Sequence, residues 1–398
     1  MREETGSNDY VIRVRDDPSS IDPIGWNALL QAQDDPTPFM RHEYLSALHE
    51  SASATASTGW LPQFLVIEEA GALIAACPLY LKDHSYGEYV FDWAWADAYQ
   101  RHGLRYYPKL LSAVPFTPVP GSRLLARDAA TRELLLHAMS QLARDAKLSS
   151  AHLLFMNDAD RAAAINAGWM TRSTVQFHWT NRESAPYADF AEFLASLQRE
   201  KRKKIQQERR RVLEAGITFT THVGEEIGAA DWDFFHRCYT LTYRAHHSTP
   251  YLTRDFFRCM ARTMPQHWAM FVAWKDGRRL ASSLIAIDSE RGSAFGRYWG
   301  ATEHIPFLHF EACYYQPLDW CIANGMQRFE GGAQGEHKMA RGLMPVQTWS
   351  AHWLAQPQFA QAVADFLERE GAGIENYLDE LNERRPFKAA ASDKADPS

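Results

Sequence analysis

The chain has 398 residues, 46% hydrophobic and 23% charged, a globular composition with room for two or three domains. Its net charge of −7 excludes a nucleic-acid binder that works by overall charge, and no apolar run approaches the ~20 residues a membrane span needs. Five scattered cysteines without a CxxC pair, and a charged N-terminus (MREETGSNDYVIRV) without an apolar core, predict a reduced, cytoplasmic protein with no signal peptide.

Along the chain, Tyr10–Asp16 (YVIRVRD) reads as a strand, followed by an amphipathic stretch with Trp26 and then PFMRHEYLSAL from Pro38 to Leu48. Gln63–Leu81 reads as a hairpin with Gly71 in its turn. YVFDWAWAD, Tyr89–Asp97, comes next, and His152–Asn157 (HLLFMN) is a further strand. A polar join, NRESAPY, lies at Asn181–Tyr187, and the dense basic run REKRKKIQQERRR, Arg199–Arg211, opens a helix.

The order then repeats. Ile217–Val223 is strand-like, a helical stretch carries Trp232, and PYLTRDFFRCM runs from Pro250 to Met260. Met270–Asp288 is a hairpin with the strong turn signal Asp276-Gly277. AFGRYWGAT, Ala294–Thr302, is matched to Tyr89–Asp97, and Met326–Glu330 to His152–Asn157. The offset of about 205 to 212 residues is far longer than a solenoid period, so the expectation is two copies of one α/β domain. They are placed at 1–183 and 184–388, with a disordered tail at 389–398.

Ionisable and aromatic residues gather in Gly296–Pro345, where burial without partners would be costly. Arg297 and Tyr298 end a strand on opposite faces, and Arg297 either grips a phosphate or carboxylate or is a surface Arg beside core aromatics. A helix expected over Phe307–Ala323 puts Glu311, Tyr314 or Tyr315, Leu318 and Ile322 on one stripe, with a kink at Pro317. Glu311 there is either a general base of raised pKa or a structural carboxylate, and Tyr315 stands beside it as a second catalytic candidate. His309 points elsewhere and reads as structural.

The loop Glu330–Lys338 follows a strand, and Gly332 and Gly335 permit close approach to a ligand. His337 there could shuttle protons, Lys338 and Arg341 could neutralise an anion, and Glu330 and Glu336 could meet an acceptor. The other reading is a solvated polar loop. No HxxxH or HExxH spacing appears, so no metal is expected.

In the first half, Trp93, Trp95, Asp97 and Tyr99, with Asp92, Tyr107 and Lys109, form an aromatic and acidic cluster beside the rigid Pro115–Pro118 loop. It is either an acceptor-binding wall in a cleft or a purely structural remnant. Arg199–Arg211 is either a solvated helix or a phosphate-contacting one that meets tRNA or an anionic membrane surface.

The motifs FDWAWADAY, YYPKLL, PFTPVPGSRLL, AHLLF, QFHWTN, KRKKIQQER, GRYWG, FLHFEACYYQ and GAQGEHK run almost end to end. On them the chain resembles the FemAB-like N-acyltransferases of bacteria, a peptidoglycan-linked group with tandem GNAT domains. The resemblance implies an α/β (α+β) fold of two GNAT-like domains, each a mixed, mostly antiparallel sheet flanked by helices. It implies an acyltransferase with acyl-CoA (acetyl-CoA) or aminoacyl-tRNA as co-substrate and a small amine acceptor. Where GNAT enzymes hold pyrophosphate with Q/R-x-x-G-x-G/A, this chain has Arg297-Tyr298-Trp299-Gly300-Ala301-Thr302, and Thr302 departs from the pattern. A catalytically inactive GNAT-like protein binding tRNA or an amino-acid-like ligand is the alternative.

Overall fold

The computed structural model describes residues 10–333 and 335–388. The tail at 389–398 and Gln334 lie outside the described residues. The first half runs β1 (Tyr10–Arg15), α1 (Pro23–Gln31), α2 (His42–Glu50), β2 (Trp60–Pro62), β3 (Phe64–Glu69), β4 (Ala72–Cys77) and β5 (Tyr80–Lys82). Next come α3 (Trp93–Arg101), β6 (Lys109–Ser112), β7 (Leu125–Ala126), α4 (Ala129–Asp145), β8 (Ser150–Met156), α5 (Asp158–Asn166) and β9 (Met170–Thr180). The second half adds α6 (Phe190–Ser196), α7 (Arg199–Glu214), β10 (Thr218–Val223), α8 (Ala229–Ala245), α9 (Arg254–Thr263), β11 (Trp268–Lys275), β12 (Arg278–Asp288) and β13 (Ser293–Ala301). It closes with α10 (Leu308–Phe310), a π turn (Glu311–Tyr315), α11 (Gln316–Ala323), β14 (Arg328–Glu330), β15 (Met344–Leu354) and α12 (Pro357–Glu383).

Local chemistry sets many of these boundaries. Asp22, Asp128, Asn157 and Asp189 cap α1, α4, α5 and α6 by accepting backbone N–H groups of the first turn. Both expected hairpins close on two residues of positive φ, Ala70-Gly71 (48° and 82°) and Asp276-Gly277 (50° and 72°). Such turns match the twist of the flanking strands.

The chain forms two compact units. Unit 1 comprises residues 1–174, 251–259 and 348–374, and unit 2 comprises 175–250, 260–347 and 375–398. In unit 1, β1, β3, β4 and β7 form an antiparallel sheet, and a second run joins β2, β5, β6, β8 and the end of β15. In unit 2 the order is β10, β11, β12, β13, β14 and the end of β9. Each unit holds a parallel pair, β6 with β8 and β13 with β14. The strands β9 and β15 each start in one unit and finish in the other.

One expectation is corrected here. Tyr89–Asp97 was matched to the strand Ala294–Thr302, yet Trp93–Arg101 is helical, and the counterpart of β13 is β6. Ala94, Ala96 and Ala98 favour helix, and burial of Trp95 and Tyr99 with Asp97 exposed between them fits a helical face, because a strand would place all three on one side.

Unit 1 has a core of aliphatic residues from β3, β4, β8 and α4, including Ile67, Leu135, Met139 and Leu153. Unit 2 is more aromatic, with Trp179, Phe193, Phe271, Tyr315 and Phe329 packed together. Helix α8 lies so close to β13 that a Cβ on Gly300 would sit 2.0 Å from the Cys238 carbonyl oxygen, so only glycine fits.

Candidate active site

β13 is hydrogen-bonded to β12 along its length but to β14 only over Ser293–Phe295. On the β12 side the register slips between Leu284 and Ile285, which leaves Arg297 as the extra residue of a bulge. Beyond Phe295 the parallel strands part, and the peptide groups on that edge of β13 leave the ladder. A cavity of about 140 Å³ opens there, walled by Ser283, Arg297, Tyr298, His309, Cys313 and Tyr314 among others.

The helical wall explains itself from Pro317, which has no N–H to give. The kink expected there is realised as the π turn Glu311–Tyr315. The Gln316 amide bonds to the Glu311 carbonyl instead of that of Ala312. The freed Ala312 carbonyl accepts the Ser283 hydroxyl of β12 at 2.5 Å. The inserted residue turns Tyr314 and Cys313 to the cavity and Glu311 and Tyr315 towards α7.

At the cavity edge the Tyr314 hydroxyl is 3.4 Å from His337 Nε2. Burial, with Arg341 and Lys338 nearby, lowers the His337 pKa, so its ring is neutral at pH 7. His309 meets Trp299 edge-on at 4.9 Å, and burial pushes its pKa down to about 4. The Arg297 guanidinium donates to the Tyr298 hydroxyl at 2.8 Å. Burial pushes the Cys313 thiol pKa far above its ordinary range.

The other candidates of this region form a layer against α7. Glu208 accepts from the Tyr315 hydroxyl and from Arg341 at 2.8 Å. Arg341 also caps the His337 carbonyl at 2.7 Å and covers the Phe310 ring at 3.6 Å. Glu311 accepts from Arg209 at 3.2 Å and Gln316 at 2.7 Å. Burial raises its pKa against the pull of Arg209, and its second oxygen is buried without a hydrogen bond.

The glycine loop is held from inside. Lys338 Nζ faces the carbonyls of Gly331, Gly332 and Ala333 at 2.6, 3.2 and 2.8 Å, and burial lowers its pKa to about 8. Gly331 and Gly332 continue the pairing with β9 through Phe177, and a Cβ on Gly331 would meet Leu343 at 2.3 Å. Gly335, at φ 95°, leads into the short helix Glu336–Arg341. Glu330 is buried, 3.3 Å from Arg328 and 3.9 Å from His178, whose burial depresses its pKa to about 3. Glu336 lies at the surface, taking a bond from Tyr377 at 3.1 Å.

The candidates from the first half belong to unit 1. Trp95 and Tyr99 are buried, against His352 at 4.9 Å and Phe359 at 4.2 Å, whereas Trp93 and Asp97 are exposed. Beside them is a buried polar chain. Lys109 bonds to Glu88 at 2.8 Å and to Asp92, Tyr106 donates to Asp92 at 2.6 Å, and His152 contacts Tyr106 at 3.2 Å. His152 and His352 meet through their Nδ1 atoms at 2.8 Å, so one carries the proton and the other accepts it.

The structure thus gathers Arg297 and Tyr298 at the cavity, with His337 at its rim through Tyr314. Glu311, Tyr315 and Arg341 gather in the α7 layer. Ser283, Cys313 and Glu208 were not singled out from sequence. A signal for Glu208 existed: it lies at i+3 and i+7 spacing with Ile205 and Val212, the buried stripe of a basic helix. Ser283 and Cys313 had none, because the π turn decides which residues face the cavity.

Among the described residues no His, Cys, Asp and Glu cluster is arranged to hold a metal, and no helix is long and apolar enough to cross a membrane. Residues 17–389 match the family FemAB-like, described as peptidoglycan biosynthesis/recognition. Among solved structures the chain is similar to FemX, at 10% identity and a TM-score of 0.52, covering 86% of this chain and 98% of that one. It is similar to L-PGS from Bacillus licheniformis, at 11% identity and 0.52, covering 87% and 97%. The C-terminal domain of a putative lysylphosphatidylglycerol synthetase from Agrobacterium fabrum gives 11% and 0.52, covering 87% and 96%. No curated relative matches in sequence. These likenesses bear out the tandem GNAT-like fold.

Proposed function

The chain belongs to the FemAB-like family and is an acyltransferase, and from that premise we propose that it moves an aminoacyl group from tRNA to the amine of a cell-wall precursor or amino-acid derivative. The observation that carries this reading is the seating of α7. Its inner side, through Glu208 and Arg209, is bonded to Tyr315, Arg341 and Glu311 of the site. Its outer side exposes Arg199, Lys203, Lys204, Arg210 and Arg211, and Lys204 is near enough to disfavour charge on His337. A polyanionic donor held by those cations would lie beside the cavity. Beyond Arg297, by contrast, Tyr298–Phe310 contains no further Lys or Arg to meet the pyrophosphate of a CoA ester.

The chemistry assigned to the residues follows from their geometry. The donor carbonyl enters the gap between β13 and β14, where peptide N–H groups of the bulged strand would polarise it and take up its developing negative charge. Neutral His337, through the Tyr314 hydroxyl, accepts the proton of the attacking ammonium. The amine nitrogen bonds to the carbonyl carbon, the ester C–O bond breaks, the ribose oxygen leaves with the second proton from nitrogen, and His337 passes the first to solvent. Glu311 and Tyr315 act by holding α7 and the π turn together.

Calorimetry with aminoacylated tRNA, uncharged tRNA, acetyl-CoA and a longer acyl-CoA, at two salt concentrations, tests the reading. The expected result is tRNA binding that weakens steeply with salt and is reduced in the Lys203→Glu, Lys204→Glu variant. Saturable binding of a CoA ester, with none of tRNA, would transfer the donor role to acyl-CoA. Tight tRNA binding with no aminoacyl transfer to any amine would favour the inactive binding protein.

A further inference from the structure

Four aromatic side chains stand out from unit 1 within eight residues. They are Tyr86 (60% exposed), Tyr89 (37%), Phe91 (56%) and Trp93 (38%). Between them the chain turns inward at Ser85, Glu88, Val90 and Asp92, all buried. The inward residues are anchored. The Lys109 ammonium bonds to Ser85 and Glu88, each at 2.8 Å, and to Asp92. Arg172 donates to the Phe91 carbonyl at 2.7 Å, and the Tyr86 amide to His84 at 3.1 Å. A buried ion cluster therefore fixes the ridge, including Tyr89 at the strained φ of 63°. Exposed aromatic side chains grouped in so short a segment and held this firmly mark an interaction site.

Its chemistry selects the ligand. The Tyr86 and Trp93 rings pack edge to face, centroids 5.2 Å apart with planes at 61°, and both side chains remain exposed. Asp97 follows Trp93 by one helical turn on the same exposed face. Asp83, with a side chain 67% exposed, flanks the other side beside His84, whose ring meets Tyr86 at 5.3 Å. From Asp83 to Gln100 the sequence contains no Lys or Arg, and the preceding Lys82 is buried, its ammonium over the Trp60 ring at 3.9 Å and 3.4 Å from His84 Nδ1. The neighbouring Arg172 is closed by Glu370 in two bonds of 2.7 and 2.8 Å. Ring faces and carboxylates attract cations together, and carboxylates repel phosphates and anionic lipid. We infer that the Tyr86–Trp93 ridge binds small molecules carrying ammonium groups, such as polyamines or lysine-like amines. The inference goes beyond the transfer reading and survives any outcome for the donor.

The test is titration of the full chain with spermidine, followed by calorimetry at low salt. Wild-type protein should bind, and Trp93→Ala should weaken binding by about fivefold, the value of one exposed cation–π contact. The Asp83→Asn, Asp97→Asn variant should weaken it too and reduce its salt dependence. These side chains are exposed, so thermal unfolding of each variant should match wild type and exclude misfolding. No spermidine binding at about 10 mM, or equal binding by all variants, would overturn the inference. So would binding of neutral chitotetraose or of anionic phosphatidylglycerol vesicles, lost in Trp93→Ala while spermidine binding is kept.

Discussion

Lys109 has no exposed side-chain surface, and two carboxylates and a hydroxyl enclose its ammonium. Replacing it with Met leaves Glu88 and Asp92 facing each other uncompensated, which should cost about 3–5 kcal/mol in urea denaturation. Burial pushes the Glu88 pKa up to about 7, from an ordinary 4.5, against the pull of Lys109. The folded chain therefore keeps this proton where the unfolded chain has lost it. The stability Glu88 contributes is full below pH 4.5 and is lost as pH rises towards about 7. Glu88→Gln should flatten the fall in stability across that interval, measured by denaturation at a series of pH values. At the cavity, Tyr314→Phe and His337→Ala should each lower kcat by about 10²-fold or more if they form the proton path, read in single-turnover transfer assays. The sequence made Lys109 and Asp92 legible as members of one cluster. It did not reveal that Trp93 and Asp97 are exposed while Trp95 and Tyr99 pack beside that cluster, because exposure is decided by what each helix face meets.

At the scale of elements, the π turn sets the site. Its extra residue frees the Ala312 carbonyl for Ser283 and faces Cys313 and Tyr314 to the cavity. Ser283→Ala would leave that carbonyl buried and unpaired, with an expected loss of about 1–3 kcal/mol in thermal or urea unfolding. Helix α7 is the second such element. Glu208→Ala removes the shared acceptor of Tyr315 and Arg341, and the stranded Arg341 should cost about 3–5 kcal/mol and loosen α7. Pro317 announced an irregular helix in the sequence, and the basic run announced α7. The direction of the irregularity was not legible, since it depends on Ser283, which comes from a strand about thirty residues earlier.

At the scale of the whole molecule, the two units are each completed by chain from the other half of the sequence. β8 of unit 1 pairs with Trp349–Leu354 of β15, and β14 of unit 2 pairs with His178–Thr180 of β9. A fragment ending at Glu183 would keep β8 without that partner and lose Leu354, Val363 and Leu367 from the cluster around Trp95 and Tyr99. It should show no cooperative melting by circular dichroism, whereas the full chain should. The parallel pairs β6 with β8 and β13 with β14 repeat one arrangement, in which β8 and β14 correspond as the sequence order suggested, whereas β13 corresponds to β6 and not to Tyr89–Asp97.

By itself the sequence determined the α/β class, the hairpins with their glycine turns, the order of strands and helices apart from the helix at Trp93–Arg101, and the family. The elements follow from periodicity, capping and turn chemistry, which act over a few residues, and the family from the motifs that run along the chain. Only the tertiary structure decided that β13 and β14 part beyond Phe295, that Lys338 is spent on three carbonyls, and that Glu208 joins α7 to the site. Each depends on groups far apart in the chain meeting in a desolvated interior, where an unpaired charge or carbonyl is too costly to leave.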